Sequence, residues 1–318
     1  MKIGMITDSL GSLPFDDMLA ASAELGLETL EFACGNWSTA PHIDLARMVD
    51  SDPARREFTA KLKDHRLAIA ALNCSGNPLH PGPQGMKHHQ VTLDTIKLAS
   101  VMGIDRVVMM SGLPGGPGDA NPNWIITDWP PECQDILKYQ WDEKITPYWR
   151  DLVAYANNLG IRKLCLELHG HQAVYNVHTL FKLRDAVGET VGANYDPSHP
   201  MWMNADPLAA VRALGKAIYY VHAKDTRIEP VPAGIDGTLE ARAPNRIAER
   251  SWNYITLGYG HGETWWRQFC AALILAGYDD VLSIEHEDMM MSPMEGMRKS
   301  VELLRKVAIN VAAAFRPV

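Results

Sequence analysis

One pattern repeats along the whole chain: a short apolar or β-branched run, followed by an amphipathic stretch. The runs are KIGMITD from Lys2, LETLEFAC from Leu27, LAIAALNC from Leu67 and RVVMMSG from Arg106. They continue with KLCLELH from Lys163, VGANYDPS from Val191, IYYVHAKD from Ile218 and VLSIEHED from Val281. Between them lie segments such as FDDMLAASAELG, TLDTIKLASVMG and YWRDLVAYANNLG, whose apolar residues recur at three- and four-residue steps. That is the period of one helix face. Gly26, Gly103, Gly160, Gly188 and Gly277 stand where helices should stop before the next strand.

Alternating strands and helices imply an α/β protein with a parallel sheet. Eight units in 318 residues fit a closed (β/α)8 TIM barrel better than an open doubly wound sheet. No glycine-rich nucleotide motif follows any of the runs. The expectation is a single TIM-barrel domain over 1–318, with long insertions after strands four and seven, at 113–142 and 227–262. Both insertions leave the C-terminal ends of strands, the face that carries active sites in such barrels. They are candidate lids or docking places for a partner.

A formal charge of −8 argues against nucleic acid or an anionic membrane as partner, because phosphate backbones demand a cationic face. No segment approaches the ~18 unbroken apolar residues of a membrane span. The run MKIGMITDSLG lacks the long apolar stretch of a secretory signal. Five scattered cysteines, with no C-x-x-C spacing, suit reduced thiols better than a disulfide framework. These features lead to the expectation of a cytoplasmic protein.

The chemistry concentrates where strands five to eight end, in Glu167-Leu-His169, Asp196-Pro-Ser-His199, His222-Ala-Lys224-Asp225 and Glu285-His-Glu287-Asp288. Strand side chains alternate faces, so Glu167 with His169, His222 with Lys224, and Glu285 with Glu287 share a side. Four neighbouring strands thereby deliver Glu167, Asp196, His222 and Glu285 to one rim. Three carboxylates packed beside an imidazole repel one another unless a cation joins them. One divalent metal ion answers that need. Mixed O/N ligation suits Mn²⁺, the first choice, and also Co²⁺, Mg²⁺, Fe²⁺ or Zn²⁺.

On CLELHG, NYDPSH, VHAKD, the Gly-Tyr-Gly-His-Gly-Glu run at 258–263 and SIEHED, the chain resembles the xylose isomerase-like barrels. More narrowly, it is similar to their sugar phosphate isomerase/epimerase branch. The resemblance spans nearly the whole chain and implies Glu167, Asp196, His222 and Glu285 as metal ligands. It implies a divalent-metal-dependent isomerase or epimerase of a sugar or keto-sugar, abstracting a proton next to a metal-bound carbonyl. The ketose 3-epimerases of this family carry a second Glu six positions after the first ligand, where this chain has Ala173. That departure keeps a lyase in view, either a keto-sugar dehydratase or an enzyme cleaving 3-keto-glycosides or C-glycosides by β-elimination. The endonuclease IV group shares the barrel but adds histidines from strands three and four, and the fourth run here ends MMSG.

Among the neighbours, His169 is the first candidate for general base, its imidazole suited to proton transfer near neutrality. Glu167 or Glu285, acting while ligated, are the alternatives. Lys224 is a candidate electrophile or an ion-pair partner. His199 orients a ligand or meets a substrate hydroxyl. Glu31, Trp37 and His80 follow strands two and three and are expected to line the mouth. Arg242, Arg246 and Arg250 offer either a phosphate clamp or a solvated set. The expected partners are a small sugar or keto-sugar, with a second copy or a small partner subunit as further candidates.

Overall fold

The computed structural model describes residues 1–310. Its strands are β1 (Lys2–Ile6), β2 (Thr29–Ala33), β3 (Ala68–Asn73), β4 (Arg106–Met109) and β5 (Lys163–Glu167). They continue with β6 (Val191–Tyr195), β7 (Ile218–Ala223), β8 (Asp225–Ile228), β9 (Trp252–Ile255) and β10 (Val281–Ile284). Eight of them close a barrel in the order β1-β10-β7-β6-β5-β4-β3-β2, and each arises from one of the eight apolar runs. The pairing is parallel, with Met5 opposite Ile284, Val108 opposite Cys165 and Glu167 opposite Asn194. Strands β2, β6 and β10 are buried along their full length, as expected of parallel strands covered on both faces.

Two compact units contribute to these elements: Met1–Glu31 with Leu62–Ala70 and Tyr195 onward, and Phe32–Lys61 with Ala71–Asn194. In the first, Trp266 and Phe269 are wholly buried, and Phe269 stacks on Tyr195 at 6.2 Å. In the second, Trp149 is wholly buried and donates its indole N–H to the Ser111 carbonyl at 3.0 Å. The helix Val177–Val187 begins at Asn176, whose side chain accepts from the Thr179 N–H while Thr179 Oγ1 accepts from the Asn176 N–H. This reciprocal cap fixes where the chain enters the helix after β5.

The two insertions are ordered and tied down. In the first, the Asn77 amide makes a two-way pair with Leu113, donating at 2.9 Å to its carbonyl and accepting at 2.9 Å from its N–H. The buried Gln140 amide donates to the Pro114 and Asn123 carbonyls. The second contains β8 and β9, which pair antiparallel with Thr226 opposite Tyr254 and Ile228 opposite Trp252. Trp252 stacks face to face on Trp202 at 4.9 Å. Among the described residues, no helix is long and apolar enough to cross a membrane, and all five cysteines are free.

Two glycines test why the chain folds this way. Gly103 closes the helix Pro83–Met102 at φ 70°, with no atom within 4 Å of an added Cβ. Only the left-handed backbone therefore penalises Gly103→Ala, by about 1–2 kcal/mol. In β1, a Cβ on Gly4 would lie 2.7 Å from the Thr29 carbonyl oxygen. Gly4→Ala is expected to lower the urea midpoint more than Gly103→Ala does. Equal midpoints would refute the close-approach reading of β1 and β2.

Candidate metal centre

The register of the barrel carries four side chains to one end. Glu167 closes β5, Asp196 follows β6, His222 lies near the end of β7 and Glu285 follows β10. One ligand atom from each lies within 4.8 Å of the others. Glu167, Asp196 and His222 are buried, and the Glu285 side chain is 18 % exposed.

His222 is held from both sides. Its Nε2 lies 2.9 Å from Glu31 Oε2 and its Nδ1 3.1 Å from Glu285 Oε2. Glu31 is fully buried and also accepts from Ser283 Oγ at 2.9 Å. A carboxylate behind a ligating imidazole fixes the ring and raises its basicity, so Glu31 is placed to orient His222 and leave Nδ1 on the ligand side. Asp196 Oδ1 accepts from the Ser198 N–H at 2.8 Å, whereas its buried Oδ2 accepts no well-formed hydrogen bond. His199 Nε2 approaches that oxygen at 3.2 Å and Lys224 Nζ at 3.9 Å.

The electrostatics follow from crowding acids into a dry space. Burial presses His222 toward its neutral form, but Glu31 and Glu285 outweigh it and hold the pKa well above the ordinary imidazole value. Burial likewise opposes the Lys224 ammonium, yet Glu285 and Glu287 keep its pKa well above the usual one. Burial favours protonated Glu285, but Lys224 and His222 draw its pKa well below the usual range. Asp196 is lowered too, with His199 and Lys224 overcoming desolvation. The carboxylates thus gather positive charge from whatever is near. A buried oxygen without a hydrogen bond, beside an O,O,O,N donor set lacking thiolate, fits a divalent cation of the Mn²⁺, Co²⁺, Mg²⁺, Fe²⁺ or Zn²⁺ type.

A second grouping adjoins the first. Glu167, His169 and His199 also offer ligand atoms within 4.8 Å of one another. His169 is half-buried, and its Nδ1 approaches the Gly170 carbonyl closely. The carbonyl can only accept, so Nδ1 carries the hydrogen and Nε2 is the basic nitrogen.

Comparison with known proteins agrees with this architecture. The family model described as "Xylose isomerase-like TIM barrel" matches residues 19–307. The chain belongs to that family. It is 48% identical over 309 residues to the uncharacterized protein YfiH of Bacillus subtilis (strain 168), covering 96% of this chain and 99% of that one. Three solved structures, at 16–18% identity, share the fold over 96% of this chain and 98–99% of theirs. One is the probable 3-DHS dehydratase AsbF of Bacillus anthracis, involved in petrobactin synthesis (17% identity, TM-score 0.66). Another is a D-tagatose 3-epimerase-like protein (18%, 0.63). The third is the IOLI protein, with a bound zinc atom (16%, 0.66).

Other residues fall in different places. Glu31, expected at the mouth, is instead fully buried behind His222, because it sits on β2 with its side chain directed at the imidazole. His80, also expected there, lines a separate cavity of about 720 Å³ with Tyr139, Tyr148 and Tyr155. Its Nδ1 is taken by the Gly82 N–H at 2.9 Å. Trp37 is 53% exposed. Lys224 is buried and reaches Glu285 at 3.2 Å and Glu287 at 2.5 Å. Asp225, given no role by the sequence, knots the 258–263 run: its Oδ2 accepts from the Gly258, Gly260 and His261 N–H groups. An aspartate directly after H-x-K and a later glycine-rich run is the signal for that knot.

The donor set makes a direct test. Purified protein is expected to hold about one divalent ion per chain, released by chelation. Asp196→Asn and His222→Ala should each weaken Mn²⁺ retention strongly, since each removes one of the four candidate ligands. Elemental analysis finding no divalent metal in active, exhaustively chelated protein would overturn the assignment.

Proposed function

We propose that this protein is a divalent-metal-dependent isomerase or epimerase acting on an uncharged sugar or keto-sugar. The observation that carries the proposal is the O,O,O,N cluster of Glu167, Asp196, His222 and Glu285, with a basic imidazole beside it. When bound, the ion supplies the positive charge that lets a carbon acid beside a carbonyl ionise near neutral pH. His169 takes the proton through Nε2, the nitrogen left basic by the contact of Nδ1 with the Gly170 carbonyl. Lys224, fixed by Glu285 and Glu287, presents a proton donor on the neighbouring side of the cluster. Return of the proton to carbon completes isomerisation or epimerisation.

Support for an uncharged substrate comes from the arginines of the second insertion. Arg242 pairs with Glu240 and Asp236, and Arg246 with Glu249. Arg250 is buried, lies over the Trp252 ring at 4.8 Å and donates to the Trp252 and Arg242 carbonyls. With these donors engaged, the solvated or internally paired reading outweighs a phosphate clamp.

A lyase is the second reading, favoured by one specific observation. Ala173 stands where the family's 3-epimerases have their second Glu, and it is buried with its N–H bonded to the Gly112 carbonyl at 3.1 Å. With one base and no opposing carboxylate from that loop, the enolate can instead expel a β substituent, as a dehydratase does.

Two experiments divide these readings. His169→Ala should retain metal yet lose a factor of roughly 10²–10⁴ in turnover; near wild-type turnover would transfer the role to a ligated carboxylate. Mass spectrometry of single-turnover mixtures in D₂O, across keto-sugars and oxidised glycosides, separates the outcomes. A product with the substrate's atoms, heavier only by solvent deuterium, supports the isomerase or epimerase, and loss of water or of an aglycone supports the lyase. Absence of both product and solvent label with every keto-sugar would sink α-proton chemistry.

A further inference from the structure

The second insertion is a candidate lid or docking place by its sequence, and one of its side chains touches two residues of the candidate site. Tyr254 lies on β9, opposite Thr226 of β8. Its hydroxyl is 3.0 Å from His199 Nδ1, with the two rings edge to face at 5.7 Å. Its ring face lies 4.2 Å from Lys224 Nζ. On the far side of His199, Nε2 points at Asp196 Oδ2, 3.2 Å away, the buried oxygen that accepts no well-formed hydrogen bond. A continuous line thus runs from the hairpin through one imidazole to a candidate ligand atom.

The hairpin is built to hold Tyr254 still. Trp252 packs against the Tyr254 ring at 5.1 Å and stacks on Trp202, which ends the short helix containing His199. Thr226 Oγ1 donates to the Ser198 carbonyl at 3.0 Å, clamping the residue before His199 to β8. Arg250 covers the other part of Trp252. Decoration would require none of these converging contacts.

We propose that Tyr254 is a positioning residue: its hydroxyl fixes the plane of His199 so that Nε2 keeps Asp196 Oδ2 aimed at the metal. The inference rests on the metal-dependent reading of the site and extends it to the insertion. Groups that orient ligands from behind commonly govern metal affinity by 10–100-fold.

Tyr254→Phe isolates the hydroxyl, because the ring that faces Lys224 remains. The measurement is Mn²⁺ affinity by electron paramagnetic resonance, with the visible spectrum of the Co²⁺-loaded protein as a report on ligand geometry. Tyr254→Phe is expected to weaken Mn²⁺ binding by about tenfold and to alter the Co²⁺ bands, with an unchanged melting temperature for the metal-free protein. In a His199→Gln background the same substitution should have no further effect, because Tyr254 acts through His199. A Tyr254→Phe protein with wild-type Mn²⁺ affinity and Co²⁺ spectrum, or an equal loss in both backgrounds, overturns the proposal alone. Wild-type protein that binds neither ion overturns the metal reading and this inference with it.

Discussion

Charge compensation at the C-terminal end of the barrel is the constraint on which the rest of the structure depends. Glu167, Asp196 and Glu285 cannot share a few ångströms of dry space as bare anions. Lys224 answers from within the chain, its ammonium held by Glu285 and Glu287 against the cost of burial, and without a metal ion His222 is driven the same way by Glu31 and Glu285. Both come from β7 and its end, two residues apart and on the same side of the strand. Barrel register is therefore also an electrostatic arrangement: slipping β7 by one residue would turn both side chains away from the acids.

The outer parts of the molecule serve that cluster by restraining its carriers. The Ser111 hydroxyl accepts from the Val174 N–H at 2.9 Å, and the Gly112 carbonyl from that of Ala173. These bonds anchor the loop that follows Glu167 and His169 to the end of β4. Asp288 does the same after Glu285, accepting from the Thr256 N–H and hydroxyl at 2.8 Å. Asp225 gathers the glycine-rich run by three N–H groups. Ser111, Asp225 and Asp288 are polar side chains past the ends of barrel strands, where the backbone leaves the sheet and its N–H groups need new acceptors.

That economy explains which parts of the molecule were legible in the sequence. The eight strands were, because an apolar run followed by a helical period is a local signal. So were the four-residue cluster and the alternation that pairs His222 with Lys224, since strand ends and alternation follow from the same local pattern. Glu31 was not: from position 31 nothing shows that its carboxylate meets an imidazole 191 residues later. Nor was His80, whose cavity is formed by helix faces and the first insertion rather than by the strand it follows. Tyr254 was hidden for a different reason. It lies in a stretch with no helical or barrel period, and its reach to His199 depends on the antiparallel register of β8 and β9.

On the proposed reading, the division between isomerase and lyase lies outside the four candidate ligands, because both reactions begin by removing the same proton and make the same demand on them. The fate of the enolate depends on groups that can give a proton back. One imidazole can return a proton to the face it came from, or leave it off while a neighbouring bond breaks. Inverting a carbon requires a donor on the opposite face. The loop after Glu167 brings no carboxylate there, since Ala173 is buried and bonded to Gly112. Lys224 is one group near the cluster with protons to give, and Glu285, Glu287 and the Tyr254 ring surround it. On the proposed reading, a donor so constrained would act on whichever substrate atom sits over it, a carbon in one reaction and a departing oxygen in the other. On that reading the hairpin of the second insertion bears on the outcome too, because it sets the Tyr254 ring 4.2 Å from Lys224 Nζ.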